Sequence, residues 1–252
     1  MATNSPSFAS TQYGAPIGEY HGGASTPVIL GISGAFLLIL GIFFLNSIPP
    51  SADPSGMVFT SIFLIAIALI FLGGMVWKIL RGRGAHAQLF EQGFVISLGG
   101  KTTTARWDDI VSVTQSITQV RYNGIPMPTT YKYTIALANG ETVRVDNTFG
   151  KTGKLGDTIQ RMSANALLPR AIASYQSGAS LPFGKISISR AGVSDGKETV
   201  PWSNVKQITT QNGVLIIKRN DKQLAWVKTP VAKTPNFYIF MDLVGRIQRG
   251  AL

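Results

Sequence analysis

The stretch WDDIVSV at residues 107–113 returns ninety-five residues later as WSNVKQI at 202–208: Trp, two polar positions, Ile or Val, two more positions, then Val or Ile. The surroundings of the two copies run in parallel. Before Trp107, residues 94–98 read as a strand, Gly99, Gly100 and Lys101 as a turn, and 102–113 as a strand region. Tyr131, Tyr133, Ile135 and Leu137 then alternate on one face of a strand, Asn139 and Gly140 turn the chain, and 141–145 return with Val143 and Val145, which is a hairpin pattern. From about 154 to 176 the spacing becomes helical, with Leu155, Ile159, Met162 and Ala166 at three- or four-residue intervals and Pro169 expected to kink or break the helix.

The second copy repeats that order. Residues 185–189 are strand-like, Asp195 and Gly196 turn before Lys197, 199–208 carry Trp202, and 214–218 with 223–228 form a hairpin around Asn220 and Asp221. Thr234 is placed to cap a last helix with Pro235 at its first position and an apolar stripe of Phe237, Phe240, Met241, Val244 and Ile247. The sequence therefore predicts a tandem duplication over 87–178 and 179–249. Its repeated core is Trp107, Ile110 and Val113 in one copy and Trp202, Val205 and Ile208 in the other. Both Trp rings are expected to pack in the sheet or under the closing helix rather than stack a ligand. Asp109 and Asn204 are expected to hold local backbone by side-chain hydrogen bonds.

Upstream the pattern is different. Residues 28–45 and 57–77 carry no charge, and each is long enough for a hydrocarbon layer about 30 Å thick. They are predicted to form a transmembrane hairpin over 28–80. Residues 1–27 hold no Lys or Arg, so they lack the basic start of a signal peptide and read as a flexible polar tail, in which Tyr13, Tyr20 and His21 are the contact candidates. Lys78, Arg81 and Arg83 follow the second span directly and Trp77 sits at its interfacial end, a pattern that puts both termini in the cytoplasm at the cell membrane. Gly34 with Gly41, and Ala66 with Gly73, give each span a strip of small residues that suits close packing, either within the hairpin or against a partner helix. Neither span has a titratable residue of the kind that marks an ion path.

Composition narrows the function classes. The 252 residues are 45% hydrophobic and 14% charged, too apolar for a wholly soluble chain. Residues 78–252 hold 23 basic and 10 acidic side chains, Glu19 and Asp53 lying before them, a formal net charge of +13. An anionic leaflet would attract such a domain. The bases are scattered and no nucleic-acid-binding motif is present, so no nucleic acid is expected. There is no Cys, hence no disulfide, thiol chemistry or Cys-based metal site. The two His, His21 and His86, form no helical metal-binding pair, and Asp108 and Asp109, on opposite faces of a strand, are poorly placed for paired carboxylate chemistry. No catalytic residue, cofactor or metal site is expected.

The segments GFVISLGGKTTTARWDDIVSV and AGVSDGKETVPWSNVKQI resemble the pleckstrin-homology-like (PH-like) domains of bacterial membrane proteins, including uncharacterised families in which such domains follow a transmembrane hairpin. The resemblance covers about 165 residues and implies a membrane-anchored α+β chain with two bent antiparallel sheets, each closed by a C-terminal helix. It implies a scaffold or sensor role beside the bilayer, with no defined reaction. In the phosphoinositide-reading members, bases along the first hairpin hold the lipid phosphate. Here only Lys101 and Arg106 approach that pattern, as candidates for unspecific anionic lipid contact. Two functions follow as expectations: an interaction module that binds a protein segment, or an accessory subunit docking other membrane helices through its hairpin.

Overall fold

The computed structural model describes residues 12–23, 25–47, 55–82 and 84–252. Two apolar helices, α1 (Ser25–Asn46) and α2 (Ser55–Gly82), contain both expected spans. At 1.5 Å per residue they are about 33 and 42 Å long, so both are long and apolar enough to cross a membrane. Trp77 and Lys78 lie exposed near the end of α2. Arg81 falls in its last turn, and Arg83 and most of the connection around Asp53 lie outside the described residues.

The helices touch along one side. A Cβ added at Gly34 would lie 2.9 Å from Leu72 Cγ, and one at Gly41 2.9 Å from Ile65 Cγ1, so both glycines let the backbones approach. Opposite them, Ser61 and Ala68 are fully buried. The strip expected on α2 does not share this seam: Ala66 is exposed and nothing lies within 4 Å of a Cβ at Gly73. The reason is rotational. The face of α2 that meets α1 runs through Ser61, Ile65, Ala68 and Leu72 at helical spacing, and residues 66 and 73 fall off it.

The largest departure from expectation lies before α1. Residues 16–21 belong to no flexible tail but form strand β1 (Pro16–His21), paired antiparallel with β2 (His86–Phe90) beyond the second helix. Strands β3 (Gly93–Leu98) and β4 (Lys101–Arg106) complete a sheet of order β1-β2-β3-β4. The helical hairpin is thus inserted between the first and second strands of one sheet. Tyr13 and Tyr20 are buried, Tyr13 beside Phe90 and Val95. The turn at Gly99 and Gly100 therefore joins the third and fourth strands and is not a first hairpin.

A short 3-10 turn (Trp107–Asp109) leads into a second sheet, β5 (Ile110–Thr118), β8 (Thr130–Leu137) and β9 (Thr142–Asp146), in the order β5-β8-β9. The small ribbon β6 (Arg121–Tyr122) and β7 (Ile125–Pro126) projects from the β5–β8 connection. Helix α3 (Thr152–Gln176) closes the unit and continues through Pro169 without a break. The lost donor falls on Asn165, which is exposed, so water can serve its carbonyl. The face of α3 turned to the sheet runs through Leu155, Ile159, Ser163 and Leu167, whereas Ala166 is exposed. Gly156 faces the Tyr133 ring so closely that an added Cβ would sit 2.0 Å away.

The order then recurs. Strands β10 (Leu181–Phe183), β11 (Ile186–Ser189), β12 (Gly192–Ser194) and β13 (Thr199–Val200) form a four-stranded sheet, a 3-10 turn carries Trp202, β14 (Val205–Gln211), β15 (Val214–Arg219) and β16 (Ala225–Pro230) form a three-stranded one, and α4 (Phe237–Gln248) follows. Neither Trp lies in a strand. Each sits on the turn between the two sheets and donates its indole N–H to the last carbonyl of the equivalent strand: Trp107 to Phe90 of β2 at 2.9 Å, Trp202 to Ser189 of β11 at 2.8 Å. Trp107, Ile110 and Val113 are buried, while Trp202, Val205 and Ile208 are half-buried against the common core.

Two outcomes follow. Valine at Gly34 or Gly41 should lower the melting temperature of the detergent-solubilised protein while valine at Gly73 leaves it unchanged; equal effects at 34 and 73 would refute the seam. Trp107→Ala should cost about 3–5 kcal/mol, the usual range for a buried aromatic, and Trp202→Ala distinctly less, as read from denaturant unfolding.

Candidate functional site

Asn236 ties the two units together. Asn236 has φ 54° and precedes α4, the place where Thr234 was expected to cap. Thr234 instead turns its hydroxyl back to the Pro230 carbonyl. The Asn236 side chain does not cap α4 either. Its Oδ1 accepts the Val113 N–H and its Nδ2 donates to the Val111 carbonyl, both at 2.9 Å, while its own N–H donates to the Val113 carbonyl at 2.9 Å. One residue of the second unit thereby serves the open edge of β5 as a strand would. Asn tolerates the left-handed backbone this requires and carries both a donor and an acceptor. Tyr238 adds a second tie by donating its hydroxyl to Asp157 of α3.

Beside this joint lies a cleft of about 460 Å³, in the size range of binding pockets. Ile110, Val111, Leu167 and Ala171 line it from the first unit, Leu181, Phe183 and Ile239 from the second, with Asp108, Asp109 and Arg170 among them. Val111 is 58% exposed there. The two carboxylates lie on the 3-10 turn, not on opposite faces of a strand, and both are occupied. Asp108 accepts from Arg106 Nε at 3.1 Å and Asp109 from the Arg106 backbone N–H at 3.0 Å. The Arg170 side chain has no hydrogen bond or ion pair among the described residues.

The bases singled out for lipid contact are not brought together as a pair of free charges. Lys101 forms an ion pair with Glu141 and Arg106 with Asp108, all on the surface. The Lys101 ammonium holds the Glu141 carboxyl below its usual range. Asn204, like Asp109, uses its side chain locally, although its amide reaches Asp221 at 3.4 Å rather than backbone.

One constellation escaped the sequence reading. Antiparallel register sets His21 of β1 directly opposite His86 of β2, and Glu19 lies two residues along on the same face. Glu19 Oε1 is 2.8 Å from His86 Nε2 and 3.6 Å from His21 Nε2, and the two rings stack 5.0 Å apart at 18°. The hydrogen bond from His86 holds the Glu19 carboxyl below its usual value. A search for His at helical spacing could not find a pair that strands bring together. The available signal was that the chain's two His each lie just outside the pair of apolar segments.

Two helices long and apolar enough to cross a membrane, set into an α+β body of antiparallel sheets, define the class of architecture. The chain belongs to DUF6585, a family of unknown function, whose model matches residues 1–251. No curated protein and no solved structure matches it.

Asn236→Gly keeps the positive φ and removes both side-chain bonds. It should lower stability by about 1–3 kcal/mol, the cost of leaving the Val113 N–H without its partner. Hydrogen exchange should then show faster amides at 111–113; unchanged exchange would mean that the joint lies elsewhere.

Proposed function

We propose that the protein is a non-enzymatic, membrane-anchored interaction module that holds a segment of a partner protein in the cleft between its two units. The observation that carries this reading is the cleft itself: concave, largely apolar, and walled by both units at a joint that one residue fixes. A preformed site of this kind binds without first ordering its own walls. The occupant we infer is an apolar peptide segment with a carboxylate, which would fill the space beside Val111 and Leu181 and meet Arg170, whose side chain has no partner among the described residues. We read the repeated succession of four strands, three strands and helix as a tandem PH-like arrangement, the first copy split by the membrane hairpin. The absence of reaction chemistry from this reading rests on Asp108 and Asp109, both engaged by Arg106.

We place both helix ends on the basic, cytoplasmic side of the bilayer. Lys78 at the end of α2 supports that orientation, and so does the pairing of β1 with β2, which needs the strands before and after the helices in one compartment. The β6–β7 ribbon supports a position close to the lipid. Val120, Tyr122, Ile125 and Met127 are exposed on and beside it. The ribbon leaves the sheet beside Asn147, which binds the backbone of Thr129 and Tyr131, and the next residue, Thr148, accepts the Gly23 N–H at 2.7 Å just before α1. That is the side from which the helices emerge.

The test is a mild-detergent pull-down of full-length protein with Val111→Arg and Arg170→Glu variants alongside, and with proteins identified by mass spectrometry. Both variants should keep the wild-type melting temperature and lose the wild-type partner. A partner kept by both variants but lost on Gly34→Val would move the function into the hairpin and make the accessory-subunit reading the better one.

A further inference from the structure

We propose that Glu19, His21 and His86 form a binding site for a divalent transition metal ion of the zinc class, which staples the strand before the membrane helices to the strand after them. The chain has two His in 252 residues. The fold brings both of them, from either side of α1 and α2, to directly opposed positions in a sheet, and adds a carboxylate on the same face.

The spacing fits the ion. Zinc takes imidazole nitrogen and carboxylate oxygen at about 2.0–2.1 Å in a tetrahedral arrangement, which sets neighbouring ligand atoms about 3.3 Å apart. The two Glu19 distances, 2.8 Å to His86 and 3.6 Å to His21, bracket that value. All three ligand atoms lie within 4.8 Å of one another. Small ring rotations therefore suffice to converge on one point, with no backbone movement. The donor set discriminates too. Two imidazoles with one carboxylate suit zinc and its neighbours, whereas calcium and magnesium prefer oxygen throughout. Gln88, paired with Glu19 across the strands, stands beside the carboxylate, where an outer-shell partner would sit.

The site is reachable. The side chains of His21, Glu19 and His86 are 70%, 53% and 32% exposed, so an ion enters from solvent and the fourth position is left for water or for a ligand from elsewhere. Binding of an ion by the paired strands and not by separated ones adds its free energy to the closure of the long segment between them. The site stands independently of the cleft and its proposed occupant.

The experiment uses full-length protein in detergent, purified without a polyhistidine tag and labelled in its His rings, so that NMR shows two residues only. On titration with Zn²⁺, both rings should shift together and saturate at one ion per chain, while Mg²⁺ and Ca²⁺ leave them in place. His86→Asn and Glu19→Gln should each weaken binding by more than the about 10–100-fold that loss of an outer-shell partner costs. Zinc should also slow hydrogen exchange in residues 16–21 of the wild type, a readout that needs no variant to fold. Rings that respond at different stoichiometries, or zinc affinity unchanged in the variants, would leave Glu19 and the His as a plain ion-pair cluster and end the proposal.

Discussion

The pairing of β1 with β2 is the constraint on which the rest of the structure depends. Five residue pairs join segments separated by the whole helical hairpin, from Pro16 with Phe90 to His21 with His86. A flexible loop of that length would impose a closure cost that grows with the logarithm of its size. The packing of the two helices on each other, Gly34 against Leu72 and Gly41 against Ile65, reduces it by bringing the chain back beside its starting point. Backbone bonds then continue the pairing to the foot of the helices: Gly22 donates to Ala85, Gly23 to Thr148, and Gly150 to His21. The α+β body is consequently tied to its helices on both sides and is not a domain on a loose tether.

Above that tie, one local solution is used twice with different weight. In each unit the indole of the Trp on the connecting turn reaches the end of the second strand, fastening the turn between the sheets to the first of them. In the first unit the ring is sealed, at 3% exposure, beneath a 25-residue helix. The second unit has a two-residue β13, a half-buried Trp202 and a 12-residue helix. It makes up part of the difference with charge: Arg219, its side chain 10% exposed, lies over Trp226, forks to Asp221 and bonds Glu198 at 2.7 Å. Such a charge-assisted fork fixes geometry as well as contributing stability. The smaller unit then borrows the first unit's β5 edge through Asn236.

The sequence disclosed what periodicity can carry. The two apolar spans, the hairpin around Asn139 and Gly140, the start and end of α3 and the recurrence around Trp107 and Trp202 all rest on local spacing, and all correspond to elements. What it hid was non-local or too short to have a period. PIGEYH buries only Tyr20 and sits among Gly, Ser and Pro, so nothing in it announces a strand whose partner lies beyond two apolar helices. Residues 192–194 and 199–200 are too brief to alternate. The cleft depends on how the two units meet, and Asn236 acts there through a positive φ that no residue pattern encodes. The Glu19, His21 and His86 cluster was hidden for the same reason as β1, since the register that creates it belongs to that pairing.

The charge distribution separates carboxylates that serve the fold from bases that face solvent. Each of the ten acidic side chains after Trp77 accepts a hydrogen bond or ion pair, from Glu91 receiving the Ala15 N–H to Asp242 receiving Arg246. The carboxylates are thus fixtures of the fold, and the surplus of bases is spread over its surface as a diffuse field. A field of that kind attracts an anionic surface within about 10 Å without selecting a face. Orientation needs a stiffer device, and α2 provides it. At about 42 Å it exceeds a hydrocarbon layer of about 30 Å, and its last turn runs into the Gly22 to Ala85 bond and β2. In the membrane-anchored arrangement proposed above, that overhang would set the height of the sheet above the bilayer and the strand pairing its rotation, and electrostatics would strengthen what backbone geometry had already chosen.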